Sequence, residues 1–514
     1  MRLYLILITL LILLICAGSC RKDFEYTPSN GNLEFSRDTV FLDTVFANIG
    51  SSTYSLKVYN RSKEDISIPY VGLAQGETSS YRLNVDGVAG KTFADIPLMA
   101  KDSLYIFIET TTNILDKNLN ELLYTDILEF GKGSSIQQVP LVTLVKDAIF
   151  LYPKNSVDDQ KECVLIGSDA NGNEIIVPGF ELKPEQLQFT NDKPYVIYGF
   201  AVIPEQQRLN IDAGARVYFH ENSGIYVQAK ASLSINGTLS TDSRILENEV
   251  IFEGDRLEPE YSDVSGQWEG IRIANGSINN TINHLTLRNA TVAIFAQGGP
   301  PFVTPTLTIK NSQIYNSSRI NLWGKTAVIT GENLVLGSAG NSSLYCNLGG
   351  SYSFTHTTIA NYWTEGYRPN AALTINNFDS TNSDGSAGVD LIKADFNNCI
   401  IDGNNALELS HSSDGLNTYD FLFSSCLITA NTESIPSEFI ELYDFENSKK
   451  YNNTILNENP DFINTSRDNF RLKPNSPAKD SGDQSFLIQV PEDILGVDRT
   501  ELPDIGAYEF TSQE

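Results

Sequence analysis

Residues 209–240 read LNIDAGAR VYFHENSG IYVQAKAS LSINGTLS when cut into blocks of eight. Each block opens on the same figure, apolar–x–apolar: Leu209/Ile211, Val217/Phe219, Ile225/Val227 and Leu233/Ile235. Such a triplet is a short strand with two side chains on one face. The Gly, Ala, Asn and Ser residues between triplets turn the chain without adding to a core. If three such units make one circuit of about 24 residues, the chain returns above its start. Successive circuits then stack as parallel strands about 4.8 Å apart. This is the pattern of a parallel β-helix, and it demands a recurrence at roughly 22–27 residues further along the chain.

The recurrence is present. The figure apolar–x–x–(apolar or small)–x–apolar appears at INHLTL, IKNSQI, GENLVL, FTHTTI, FNNCII and FSSCLI. These begin at Ile282, Ile309, Gly331, Phe354, Phe396 and Phe423, with steps of 27, 22, 23, 42 and 27 residues. The step of 42 reads as one coil carrying an insertion, placed around NYWTEGYRPN (361–370) and NFDSTNSDGSAG (377–388). Cys399 and Cys426 fall at equivalent inward positions. Their Cβ atoms, one strand spacing apart, lie beyond the disulfide range of about 3.5–4.5 Å, so the expectation is two stacked free thiols.

Ahead of the repeats, residues 33–147 hold short alternating runs such as TVFLDTVF (39–46), YSLKVYN (54–60), SLYIFIET (103–110) and QVPLVTLV (138–145). About seven such runs suit a two-sheet sandwich. Residues 148–195, with Pro153, Pro178, Pro184 and Pro194, read as a connecting and capping segment. Residues 196–458 read as the β-helix, and 459–514 as a C-terminal cap over its last coil.

The chain opens MRLYLILITLLILLICAGSC: a basic residue, an apolar run, small residues and a cysteine, the order of a secretory signal over residues 1–19. The competing reading is a retained anchor, since the apolar run approaches the minimum of about 17 residues for a spanning helix. Residues 20–32 read as a tether. Formal net charge is −28, and loss of residues 1–19 removes Arg2 and leaves −29. A field of this sign argues against nucleic acid and against polyanionic glycans unless cations bridge them. Cys163, Cys346, Cys399 and Cys426 form no CxxC, and His220, His284, His356 and His411 are scattered, so no metal or other cofactor is expected.

Several stretches carry resemblances. AGSC resembles a bacterial lipobox, although Ala17 stands where leucine is usual. That implies cleavage before Cys20, acylation of its thiol, and a lipid bilayer as partner, with stable anchoring from two or more acyl chains. The run from FANIGSSTYSLKVYN to DIPLMAKDSLYIFIE resembles the immunoglobulin-like sandwiches of bacterial surface proteins. The tail, with NPDF (459–462), FRLKPNSPAKDSG (470–482) and DIGAYEF (504–510), is similar to the closing motif of right-handed parallel β-helix proteins exported by bacteria. DKPYVIYGFAVIP (192–204), VIFEGDRLEP (250–259) and GQWEGIRI (266–273) resemble the opening coils of such lipoproteins from Bacteroidetes-like bacteria. The implied fold is an immunoglobulin-like β-sandwich followed by a right-handed parallel β-helix. The implied address is the outer membrane, facing the periplasm or the cell surface. The resemblance implies no reaction.

Two groups of residues are candidates for function. With Ile392, Ala394 and Phe396 read as inward, Lys393 and Asp395 point out, and Asp420 lies 27 residues, one coil, beyond Lys393. An outward Lys with two Asp could serve as the base and Ca²⁺-holding carboxylates of a polysaccharide lyase; the alternative is a solvated ladder of ion pairs. The paired-Asp and Arg-Ile-Lys signatures of polygalacturonases are not evident. Tyr362, Trp363 and Tyr367 cluster beside the insertion, where aromatics either stack on sugar rings or pin the loop. Trp268 reads as packing and Trp323 as a loop residue. The main expectation is non-enzymatic binding or adhesion to a glycan or surface protein. A lyase or glycoside hydrolase is the alternative, and a passive shaft the third reading.

Overall fold

A computed structural model describes residues 26–114, 121–155, 161–168, 172–378, 388–431, 433, 435–499 and 502–512. Cys20 and residues 379–387 of the insertion lie outside these. The chain divides into two compact units, residues 1–147 and 148–514.

In the first unit, the alternating runs form two five-stranded sheets. One orders Glu34–Phe35, Tyr54–Tyr59, Ser103–Thr110, Tyr81–Val85 and Val88–Gly90; the other orders Val40–Phe46, Gln137–Lys146, Glu121–Phe130, Val71–Leu73 and Thr92–Phe93. Their inward residues, among them Val40, Leu56, Val58, Ile106, Ile108, Leu128 and Leu141, share one core. These mainly antiparallel sheets resemble an immunoglobulin-like domain.

The second unit is a solenoid-like β-helix of mostly parallel pairings that run from Ile149–Leu151 to Ile455–Leu456, with Cys163–Ser168 pairing antiparallel to Glu174–Glu181. Leu209 pairs with Leu233 and Ile211 with Ile235, so three eight-residue blocks do make one coil. The longer-range figure holds as well: Ile282 pairs with Ile309, Ile309 with Gly331, Gly331 with Phe354, Phe354 with Phe396, and Phe396 with Phe423. Inside, Phe354, Phe396, Phe423 and Tyr451 stack, with ring centroids 5.4, 4.9 and 5.5 Å apart and planes within 12°. Cys399 and Cys426 are buried free thiols, and burial pushes the Cys426 thiol well above its ordinary value.

From His284 onward successive coils turn one corner at a residue of positive φ: His284, Asn311, Asn333, His356, Asn398, Ser425 and Asn453, with φ between 46 and 51°. Asn and His, six of these seven, bear the left-handed conformation more readily than β-branched residues. Asn333 Nδ2 donates to Asn311 Oδ1 at 3.0 Å, and Asn398 Nδ2 to His356 Nε2 at 3.1 Å, so parts of this corner are also a side-chain ladder.

Two segments run differently from the expectation. Residues 148–195 are more than a connection. Ile149–Leu151 pairs with Tyr195–Ile197, Gly179–Glu181 with Phe200–Val202, and Gln188–Phe189 with Asn210–Ile211. Leu151, Phe180, Leu182 and Phe189 are buried in the solenoid core, repeating the inward triplet that the prolines obscure. At the far end, Ile435, Phe439, Leu442 and Phe445 pack against the core, with Phe445 4.6 Å from the Tyr451 ring. The tail from 459 onward does not cover that end. It runs back along the outside of the solenoid, where Phe462, Phe470, Leu472, Ile494, Ile505 and Tyr508 pack on outward Val335, Ala360, Ile400 and Leu427. The strands on this flank are therefore buried on both faces, as their unbroken CII and CLI runs require.

The corner side chains also hold the tail. Asn398 Nδ2 donates to Asp483 O at 3.0 Å and its Oδ1 accepts from Asp483 N at 2.7 Å; His356 Nδ1 lies 3.3 Å from Gly506 O. Burial holds both His356 and the core His411 below the usual histidine range, His411 at about 3. A histidine kept neutral in the fold but free to charge when unfolded contributes stability that is complete above about 6.5 and is lost as pH falls below it. Per histidine the loss is about 1.4 kcal/mol for each further pH unit. The melting temperature of His411→Phe is expected to fall less steeply between pH 6 and 4 than that of the parent; parallel profiles would remove His411 from the titration.

Candidate functional site

Lys393, Asp395 and Asp420 do lie on one outer flank of neighbouring coils, but as parts of two separate ion pairs. Lys393 Nζ sits 3.1 Å from Asp395 Oδ2, and Asp420 Oδ1 accepts from Lys450 Nζ at 2.8 Å. The Lys450 ammonium also lies 4.7 Å over the Phe421 ring. The local register differs from the expected one. Gly350 pairs with Leu391 and Ser351 with Lys393, so Ile392 is the extra residue of a bulge and is 46% exposed, while Leu391 points in. The flank is an exposed ladder of carboxylate–ammonium pairs. Among the described residues no group of three or more His, Cys, Asp or Glu converges to hold a metal ion.

The aromatic cluster separates into two roles. Tyr362 stacks 6.1 Å from Phe470 of the tail and donates its hydroxyl to Asp402, and Trp363 is 9% exposed. These two pin the loop against coil and tail. Tyr367, at 88%, is the exposed member. The loop is stapled by a buried ion pair in which Arg368 donates to Glu408 and, through Nη1, to Asn370 O at 2.7 Å. Glu408 accepts Ala372 N at 2.8 Å and Asn405 N at 2.7 Å. Beside the loop lies a groove of about 520 Å³ lined by Asp263, Tyr362, Trp363, Glu365, Arg467 and Asp468. Burial, then the nearby Asp263 charge, raises the Asp468 carboxyl above the ordinary carboxylate range, against the pull of the Ser338 hydroxyl that donates to it at 2.7 Å.

A third arrangement escaped the sequence reading. The middle residues of successive triplets IYV, IRI, IFA, LWG and LYC are outward, and the coil register lines them up. Tyr226 pairs with Arg272, Arg272 with Phe295, Phe295 with Trp323, and Trp323 with Tyr345. All five are half-buried. The Arg272 guanidinium lies 6.0 Å from the Phe295 centroid, Phe295 meets Trp323 edge-on at 4.8 Å, and Trp323 and Tyr345 lie 5.6 Å apart at 25°. Trp323 is thus a strand residue of Ile320–Gly337, not a loop residue. Its indole Nε1, closed from solvent, has no acceptor among the described residues. Two residues along the same strands runs a polar row, in which Gln297 pairs with Lys325 and Lys325 with Asn347. Asn347 and Asn376 both donate to the Tyr345 hydroxyl, at 3.0 and 3.1 Å. The signal in the sequence was the identity of each triplet's middle residue, visible once the coils are in register.

No protein-family model matches the chain, and no curated protein matches it. Three solved structures are similar to parts of it. PapD-like domain 7 of human CEP192 is 10% identical over 25% of this chain and 94% of that one, with a TM-score of 0.16. The major pilin subunit of Bacillus cereus is 16% identical over 26% of this chain and 48% of that one, with a TM-score of 0.15. Pectate lyase Pel9A is 14% identical over 62% of this chain and 88% of that one, with a TM-score of 0.22. Among the described residues no helix is long and apolar enough to cross a membrane.

Proposed function

We propose that the protein is an extracytoplasmic lipoprotein, held to the outer membrane by an acylated Cys20, that binds a glycan along one flank of a right-handed β-helix. In this reading the sandwich serves as spacer. One observation supports it above the others: the outward row Phe295, Trp323 and Tyr345 with an amide-bearing row beside it. Coils rise by about 4.8 Å, close to the length of one sugar in an extended chain. Apolar ring surface beside amide donors suits a ligand that is apolar on its sugar faces and hydroxylated at its edges. The full chain is expected to be retarded in gels containing a polysaccharide it binds, with no new reducing or unsaturated ends. Trp323→Ala should weaken the retardation about two- to tenfold, the effect of losing one aromatic contact. Unchanged retardation would move the site elsewhere.

A carbohydrate-active enzyme is the second reading, favoured by the groove that sets Asp468, its carboxyl raised, near Asp263. Glycoside hydrolysis works through two carboxylates that flank the bond to be cleaved. New reducing ends that vanish in Asp468→Asn would establish it. Unsaturated ends lost in Lys393→Ala would instead establish a lyase on the ion-pair flank.

A further inference from the structure

The flank that carries the aromatic row has a charge opposite to that of the chain. Arg272 stands in the row itself, Lys325 in the polar row two coils on, and Arg319 just ahead of the Trp323 strand, close enough for its charge to act on Arg272. None of the three has a side-chain hydrogen bond or an ion pair among the described residues. Glu269 is the carboxylate that acts on Arg272, and it lies beyond ion-pair distance. A half-buried guanidinium beside a second one, against phenyl and indole rings, loses hydration with no paired anion to offset it. Such a site is completed by an anion supplied from outside.

We propose that this flank takes an anionic polysaccharide, with Arg272, Arg319 and Lys325 pairing its acid groups and Phe295, Trp323 and Tyr345 against its sugar rings. The proposal rests on the glycan reading above and names the ligand class for the same site. Arg272 and Lys325 are two coils apart, about 10 Å along the axis. That is the span of one disaccharide, so an acid group on alternate sugars meets successive cations. The start of the row sets a boundary. Tyr226 borders a pocket with Glu174, Glu181 and Glu205, which repels an acidic chain and leaves the run from Arg272 to Asn376 as the bound length. The net charge of −28 does not forbid this. At physiological salt, carboxylates further away than about 8 Å are screened, and the contacts at the flank decide.

The test uses the full chain in chelator-containing buffer, so that no calcium bridges protein and glycan. The probes are a polyuronate, a sulfated galactan and a neutral β-glucan, read by gel retardation and by calorimetry at two salt concentrations. Polyuronate or sulfated galactan should bind more tightly than the neutral glucan, and the stronger of the two identifies the acid group. Binding of the acidic glycan should weaken with salt and fall at least tenfold in R272Q/K325Q, a larger loss than the same variant shows for the neutral glucan. A melting temperature equal to the parent's shows that the variant is folded, and Trp323→Ala should weaken all ligands together. Binding of the neutral glucan alone would overturn the anionic class and leave the glycan reading standing. Acidic-glycan binding that R272Q/K325Q does not alter would overturn the assignment to this flank. Silence with every polysaccharide would overturn both, and binding of an acidic polypeptide alone would replace the glycan with a protein partner.

Discussion

Phe396→Ala is expected to lower the unfolding free energy of the solenoid by about 3–5 kcal/mol, the cost of an aromatic-sized void in a packed core. The ring is the second of four in the inner stack and has a parallel neighbour on each side, Phe354 and Phe423. Because each coil contacts chiefly its neighbours, a void at one level weakens the interface between two coils more than it weakens the rest. Denaturant unfolding should therefore lose cooperativity as well as midpoint, with the coils beyond Phe396 released first. The measurement is urea unfolding followed by fluorescence, with hydrogen exchange to locate the weakened level. A shift under 1 kcal/mol would mean that the stack relaxes into the gap.

The second large effect is expected at Arg499, which is buried in the returning tail. Its guanidinium pairs with Glu509 and donates to Asn333 Oδ1 at 3.1 Å, Gly506 O at 3.2 Å and Ala507 O at 3.1 Å. Arg499→Met retains much of the volume but leaves Glu509 without its counter-charge, a change that costs about 3–5 kcal/mol. The inner solenoid core draws none of its residues from the tail. The expected result is thus local. Residues 459–512 should exchange their amide hydrogens and become open to proteolysis, while the residues of the inner stack stay protected. Loss of protection throughout would show instead that the tail is indispensable to the coils.

The coil register was legible because inward pairs recur at steps of 22 to 27 residues, which stacking coils bury together. The course of the tail was not. It depended on outward Val335, Ile400 and Leu427, which in a single triplet look like ordinary variation and become a stripe only when coils are stacked. The bulge at Ile392 was hidden for a related reason. Alternation places Ile392, Ala394 and Phe396 on one face, but pairing with Gly350 and Ser351 draws in Leu391 and throws Ile392 out. Tyr362 and Trp363 stand together in the sequence, yet the partners of Tyr362, Asp402 and Phe470, lie 40 and more than 100 residues away. Arg272, Phe295 and Trp323 were passed over singly, since each stands alone in its own triplet. Local pattern carries the inside of a solenoid. Its outside is written in residues that meet only across coils.

The tail gives the molecule a gauge. Tyr508 meets Gln313 at 3.3 Å, Arg499 meets Asn333, Gly506 meets His356, Asp483 meets Asn398, and Leu427 lies under the same apolar strip. Solenoids ordinarily change length by gaining or losing a turn anywhere along the axis. A turn inserted between Gln313 and Leu427 would move every later attachment by one rise, about 4.8 Å, while the strap that must reach them keeps its length. Over that stretch the turn count is a fixed dimension of the protein, and growth is confined to the turns that the strap does not measure.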